Sequence, residues 1–157
     1  FVNNLGAALR DLGQVEAAIG QFHRALALAP ALARSGRWDE AGSLFDQAIT
    51  AVETTGERLW EASTHQRHGE FLLARDGAAG ASAAEACFTK SLNVAREQGA
   101  RWWELRTSVS LARLWHSQGK THEARELLAP VYGWFTEGFE TRDLKEARVL
   151  LDELGVA

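Results

Sequence analysis

Hydrophobic and small residues recur along the chain at spacings of three and four, with polar and charged residues between them. In residues 1–30 the recurring positions include Leu9, Ala18, Phe22 and Ala25. This spacing places the apolar side chains on one face of a helix. Prolines are only two, whereas Ala, Leu, Arg and Glu are abundant. The pattern therefore predicts an all-α fold.

Two residues in this first stretch indicate where helices end. Gly13 is expected to stop a first helix in a left-handed cap, and Pro30 is expected to end a second one. Small residues at Gly6 and Ala18 would let the two helices approach closely. Residues 1–30 therefore predict a helical hairpin.

The same register of small and large apolar residues returns later in the chain. It predicts further hairpins at about 58–98 and 101–137, an incomplete hairpin at 31–53 and a capping helix at 141–154. Thr141 or Asp143 is the expected N-cap of the last helix.

This arrangement resembles the tetratricopeptide repeat, a helical hairpin of ~34 residues that recurs in tandem. Leu5-Gly6, Gly13, Phe22 and Pro30 match the repeat's consensus positions. The resemblance implies a single domain over residues 1–157, in which antiparallel hairpins stack as a right-handed superhelix, an α-solenoid with a C-terminal cap.

The segment after Pro30 departs from the repeat. Its turn glycine, Gly36, follows Gly13 too soon for a complete first helix. Either that helix is truncated, or the chain skips a loop and part of a helix between about residues 29 and 33. We favour the second interpretation, because a lone second helix would expose its apolar face in a stacked array. The first residues also look like mid-helix sequence, so we expect a fragment of a longer protein.

Charge and hydropathy exclude two classes of partner. The formal net charge is -4, and Lys and Arg are mixed with Asp and Glu along the whole chain, so no nucleic-acid binding is expected. No apolar run approaches the ~20 residues of a membrane span. The single cysteine, Cys87, fits a reducing compartment, and we expect a cytoplasmic protein.

The resemblance also implies where a partner would bind. In tetratricopeptide arrays the first helices of the hairpins line a concave groove, and a protein or peptide contacts outward positions on them. The corresponding residues here are Asn3, Asn4, Arg10, Gln66, Arg67, Glu70, Arg106, Ser110, Arg113 and His116. Arg67, Arg106 and Arg113 could form a cationic stripe for a carboxylate-bearing segment, or they are ordinary solvated helix residues.

Metal binding and catalysis are the remaining chemical roles that the sequence could support. His65 and His68 are spaced to share a metal, but both fall at core-facing positions, so structural roles are expected and no cofactor or metal is predicted. Catalytic triads are not visible, and carboxylates such as Glu146 follow an arginine, here Arg142, at ion-pair spacing. We therefore expect no enzymatic activity.

Aromatic residues cluster at two places near the end of the chain. Tyr132, Trp134, Phe135 and Phe139 are expected to seal the last hairpin against the cap. Of the neighbours Trp102 and Trp103, at least one should be partly exposed, and packing on the preceding hairpin is the expected role.

Residues 55–157 carry a second resemblance. The stretches 67–74, 99–106 and 127–139 look like the C-terminal tetratricopeptide-repeat region of bacterial adenylate/guanylate cyclase–ATPase signalling proteins. This implies the regulatory arm of such a protein. The phosphate-binding loop of the ATPase is absent from this sequence, so no nucleotide chemistry is expected here.

The leading functional expectation is protein–protein interaction through the concave groove, as a scaffold or regulatory arm. Two alternatives stay open. One is homo-oligomerisation through open ends or exposed aromatic rings, and the other is sensing of a small ligand.

Overall fold

Seven α-helices make up nearly all of the computed structural model, which describes the backbone of residues 2–56 and 58–155 and the side chains of 12–56 and 58–155. They are α1 (Val2–Arg34), α2 (Trp38–Thr55), α3 (Glu61–Asp76), α4 (Ala81–Glu97), α5 (Arg101–Ser117), α6 (Thr121–Gly133) and α7 (Arg142–Gly155). A short 3₁₀ helix, Gly77–Gly80, joins α3 to α4. No strand occurs in these residues.

The helices pack in sequence as hairpins. The most extensive contacts join α1 to α2, α3 to α4 and α5 to α6. Each first helix also touches the next one, so α1, α3, α5 and α7 form one layer, while α2, α4 and α6 lie behind it. The predicted all-α stack of helical hairpins is confirmed.

The interior of each hairpin follows the register predicted from sequence. In the second helix of each pair a small residue, Ala41, Ala84 or Ala124, is fully buried. A large residue four positions later, Phe45, Phe88 or Leu128, is 0–3% exposed. Burying such a side chain contributes about 1.5–3 kcal/mol, so these positions hold the paired helices together.

The first helix differs from the prediction. It runs unbroken from Val2 to Arg34, so residues 1–30 do not form a hairpin. Gly13 is not one of the described glycines with positive φ, and Pro30 lies inside the helix. Glycine costs a helix only about 1 kcal/mol relative to alanine. The left-handed turn lies instead at Gly36, whose φ is 79°.

The incomplete hairpin predicted at 31–53 is complete in the structure. Its first helix is the C-terminal half of α1, where Ala25 and Ala29 are buried in the same cluster as Ala41 and Phe45 of α2. Helix α1 is continuous through residues 29–33, and the interpretation that residues are skipped there stays a prediction. Packing against α2 also explains why Pro30 does not end the helix, since tertiary burial outweighs one lost hydrogen bond.

The last helix covers the end of the α5–α6 hairpin. Leu144, Ala147, Leu150 and Leu154 of α7 are buried in one cluster with residues of α5 and α6. Thr141 directly precedes α7, and its hydroxyl donates a hydrogen bond to the carbonyl of Gly138 at 2.7 Å. A helix in this position shields the final hairpin from solvent, as terminal repeats require.

The aromatic seal is only partly as expected. Tyr132 and Phe135 pack against the cluster formed by α5, α6 and α7. Trp134 and Phe139 instead point outward, with 55% and 42% of their surface exposed. The guanidinium of Arg101 lies 5.4 Å from the centre of the Trp134 ring.

A search of the described helices finds none that is long and apolar enough to cross a membrane.

Gly69 offers a test of how closely the paired helices must approach. A Cβ at this position would lie 2.6 Å from Cε1 of Phe88, a ring that is fully buried and cannot move aside. We expect Gly69→Ala to lower the free energy of unfolding by about 1–3 kcal/mol, as overpacking does. Urea unfolding followed by circular dichroism measures the change.

Gly20→Ala is the matched control, because a Cβ there meets nothing within 4 Å. Alanine should stabilise that helical position by up to about 1 kcal/mol. Equal stability of the two variants would contradict the close approach of α3 and α4.

Candidate functional site

The face formed by α1, α3, α5 and α7 carries a polar cavity of about 390 Å³, here called the charged pocket. Six of the predicted residues line it: Gln66, Arg67, Glu70, Arg106, Ser110 and Arg113. Helix α7 adds Arg142, Asp143 and Glu146. The structure therefore brings the predicted residues of α3 and α5 together on one surface.

Of the other predicted residues, only His116 has a described side chain, and it does not line the charged pocket. His116 lies near the end of α5, where its Nδ1 is 3.4 Å from Oγ1 of Thr121. The side chains of Asn3, Asn4 and Arg10 lie outside the described residues.

A hydrogen-bond network forms the centre of the charged pocket. Nε2 of Gln66 donates to Oε1 of Glu70 at 2.6 Å and to Oγ of Ser110 at 3.0 Å. The Ser110 hydroxyl donates to the same Glu70 oxygen at 3.1 Å. Since a carboxylate can only accept, these bonds fix which end of the Gln66 amide faces Glu70.

The opposite end of that amide is the one unusual feature of the network. Gln66 is 3% exposed, and its Oε1 has no hydrogen-bond partner among the described residues. A buried acceptor without a donor costs about 1–3 kcal/mol. Such enclosed groups are usually satisfied in native proteins by an ordered water.

The cationic stripe proposed from sequence is already paired. Nη1 of Arg67 lies 3.6 Å from Oε2 of Glu70, and Nε of Arg106 lies 3.4 Å from Oδ1 of Asp143. Nη2 of Arg113 lies 3.3 Å from Oε2 of Glu146. These are partly exposed ion pairs, which contribute about 0–1 kcal/mol each. A carboxylate from a partner can therefore replace the internal one at small cost.

Glu146 is the most strongly held of these carboxylates. Arg142 donates to it at 2.6 Å, and Arg113 approaches from α5. The hydrogen bond from Arg142, with a further one from Arg113, holds the pKa of Glu146 below its usual value. The pair ties α7 to α5 across the charged pocket.

Beside the charged pocket lies a second cavity of about 440 Å³, here called the apolar pocket. Its apolar walls are Leu26, Ala29, Pro30, Ala33, Trp38 and Phe71. Arg67 and Glu70 line both pockets, so the two cavities adjoin along α3. Sequence analysis missed this pocket, although alanines four residues apart at 25, 29 and 33 are a signal of a flat helix face.

A third cavity, of about 710 Å³, opens at the C-terminal ends of α3 and α5. It shares Glu70, Ser110 and Arg113 with the charged pocket. Glu70 thus lines all three cavities, and the third cavity extends the charged pocket towards the ends of α3 and α5.

The two neighbouring histidines belong to the core. His65 is 5% exposed, and burial lowers its pKa to about 4. His68 stacks on Phe45 with ring centres 5.2 Å apart, and burial lowers its pKa as well. Among the described residues, no three His, Cys, Asp or Glu side chains are grouped to hold a metal ion.

Cys87 lies next to this pair without forming a reactive centre. Its Sγ is 3.8 Å from Nδ1 of His68, and burial raises the pKa of the thiol. A reactive cysteine needs a lowered pKa, because the thiolate is the nucleophile.

The adjacent tryptophans take different roles. Trp103 packs against Ala62, Val94 and Ala95 of the preceding hairpin. Trp102 is 37% exposed and meets the ring of Phe135 edge-on at 5.9 Å. The expectation that one of the two is partly exposed is therefore confirmed.

Comparison with known proteins identifies the repeat. Two family models, each described as a tetratricopeptide repeat, match residues 2–29 and 26–59. No curated protein and no solved structure matches the chain. The comparisons thus support a tetratricopeptide-repeat protein and give no support to the cyclase–ATPase resemblance.

His65 makes stability depend on pH. Its folded pKa of about 4 lies below the ordinary value of 6.5, so the unfolded chain binds the proton more tightly. The stabilisation is complete above about pH 6.5 and is lost as the pH falls towards 4. From about pH 7.5 to pH 5 we expect a loss of about 2 kcal/mol in the free energy of unfolding.

Urea unfolding at several pH values tests this. His65→Gln keeps a polar side chain but does not titrate, so its stability should change much less over the same range. The charges that act on His65 are Lys90, Glu61 and His68, and none of them is altered by the substitution. A variant with the wild-type pH dependence would assign the effect to another group.

Proposed function

We propose that this chain, which carries tetratricopeptide repeats, binds a segment of another protein in the groove formed by the charged and apolar pockets. Repeats of this kind typically bind proteins or peptides. The observation that carries the proposal is the charged pocket itself. Six residues predicted from the repeat register line one cavity there.

The groove is suited to binding because its centre is already ordered. Glu70 is held by Gln66 and Ser110, so little side-chain entropy is lost there when a partner arrives. The arginines around it exchange one carboxylate for another. Preorganised polar groups beside an apolar cavity are the usual composition of a recognition site.

The proposal includes no catalytic step. An all-helical repeat fold is typically a non-catalytic interaction module, and the arginines and carboxylates of the charged pocket are engaged in ion pairs with one another.

A second candidate is assembly with another copy of the chain. It is favoured by the exposed aromatic residues Trp102, Trp134 and Phe139 at one end of the α5–α6 hairpin. Exposed apolar residues grouped in this way often mark interaction sites.

We also propose that the chain is the regulatory arm of a larger bacterial signalling protein. The support is the sequence pattern of residues 55–157, which resembles the repeat region of cyclase–ATPase proteins. In such an arrangement a partner in the groove would report to domains elsewhere in the same polypeptide.

Charge reversal in the groove tests the binding proposal. A random peptide library displayed on phage is selected against the chain, and the affinity of selected peptides is measured by fluorescence polarisation. We expect Arg67→Glu together with Arg113→Glu to weaken binding about tenfold or more, because repulsion replaces two ion pairs. The fold should survive, since exposed ion pairs contribute little to stability.

The matched control is Lys120→Glu together with Arg148→Glu, which changes the net charge equally at exposed residues outside the groove. Equal affinity loss in both double variants would indicate a general charge effect and reject the groove. The molecular mass in solution, measured in parallel, distinguishes assembly with another copy of the chain from binding of a partner segment. Mass that increases with concentration and falls back in Trp134→Ser would favour assembly.

The reading frame that encodes this chain tests the larger-protein proposal. We expect it to include a phosphate-binding loop and a nucleotide cyclase domain upstream. A frame without either would remove the signalling role while leaving the groove proposal unaffected.

A further inference from the structure

The two pockets of the groove differ in chemistry although they share a wall. The apolar pocket is lined by Leu26, Trp38 and Phe71 among others, while the charged pocket is lined mainly by arginines and carboxylates. Arg67 and Glu70 stand between them. One occupant that fills both must therefore carry apolar and charged groups next to each other.

The net charge of the groove indicates the sign of the charge that its occupant carries. Among the described side chains, five arginines line the two pockets: Arg34, Arg67, Arg106, Arg113 and Arg142. Three carboxylates of the same described set lie there, Glu70, Asp143 and Glu146. The chain as a whole carries a net charge of -4, so the groove is a positive region on a negative protein. Carboxylates are the complementary groups.

The hydrogen-bonding capacity of the groove points to a peptide. Proline has no N–H, so Pro30 leaves the carbonyl of Leu26 without the donor that the helix would normally supply. Both residues line the apolar pocket. A peptide backbone supplies N–H donors, whereas a small apolar acid does not.

The size of the apolar pocket limits which side chain of the occupant can enter it. Its volume of about 440 Å³ lies in the lower half of the ~300–1,000 Å³ range of ligand sites. Trp38 and Phe71 form its aromatic wall, with ring centres 5.9 Å apart. One large apolar side chain therefore fits between α1 and α3, while neighbouring residues of the same segment reach the arginines.

Resting on the function proposed above, we infer that the partner segment is acidic, with a large apolar side chain that enters the apolar pocket and flanking carboxylates that bind Arg67, Arg106 and Arg113. The apolar pocket selects the segment, and the charged pocket orients it. Glu70 lies at the junction and disfavours a second carboxylate there.

The test uses peptides selected from the random displayed library. Those that bind are expected to combine Leu, Ile, Phe or Trp with nearby Asp or Glu. Replacing the apolar residue of a selected peptide by Ser, or its acidic residues by Lys, should each weaken binding about tenfold or more. Raising the salt concentration should weaken it further by screening the charges.

A pocket-filling variant locates the anchor on the protein. Ala74 is exposed and lines the apolar pocket, so Ala74→Trp places a ring in the pocket without altering the core. Ala27→Trp, at an exposed residue of α1 outside the groove, is the matched control. We expect the first variant to abolish binding of the selected peptides and the second to leave it unchanged.

The outcomes separate this inference from the proposed function. Peptides that lose affinity in the Arg67→Glu, Arg113→Glu variant but lack the apolar–acidic combination, or that still bind Ala74→Trp, overturn the inference and retain the groove. A library without any binder overturns both. A last outcome is that no peptide binds, whereas dodecanoate binds the wild type and fails to bind Ala74→Trp. That result assigns the apolar pocket to a small apolar acid and likewise overturns the inference.

Discussion

Close contact between a small residue on one helix and a large apolar residue on the next is the interaction on which the rest of this structure depends. Gly69 against Phe88 is its tightest instance. The contact sets the distance between the two helices of a hairpin. Because each hairpin then stacks on its neighbour, the same contact fixes how far apart α1, α3 and α5 lie, and so determines the width of the groove.

Most of the fold could be predicted from the sequence because this contact leaves a periodic trace. The large residue of the contact follows a small residue of its own helix at a fixed spacing, as Phe88 follows Ala84 and Leu128 follows Ala124. The helices that carry these residues lie where that spacing places them. The prediction failed at α1 for a physical reason. Gly13 and Pro30 are local signals, and neither ends a helix that buries Ala18, Ala25 and Ala29 in the main apolar cluster.

The groove was only half predictable. Gln66, Arg67 and Ser110 were found because their positions follow from the repeat register. Their partners on α7, such as Asp143 and Glu146, were not found, since contacts between helices far apart in sequence leave no periodic signal. The apolar pocket depends on how α1, which is one long helix, lies against α3. The prediction of a hairpin in residues 1–30 placed these residues differently, so the pocket could not be predicted.

The interior of the protein is divided. One large apolar cluster extends from α1 to the C-terminal part of α5, and another joins the rest of α5 to α6 and α7, with Trp115 packed against both. A stack whose interior is divided in this way can open in parts, since each unit is stabilised mainly by its neighbours. The charged pocket crosses the division, because Gln66 belongs to the first unit and Arg142 to the second. A segment held between them would make the two halves unfold together, so that occupancy of the groove converts a divisible array into a single cooperative body.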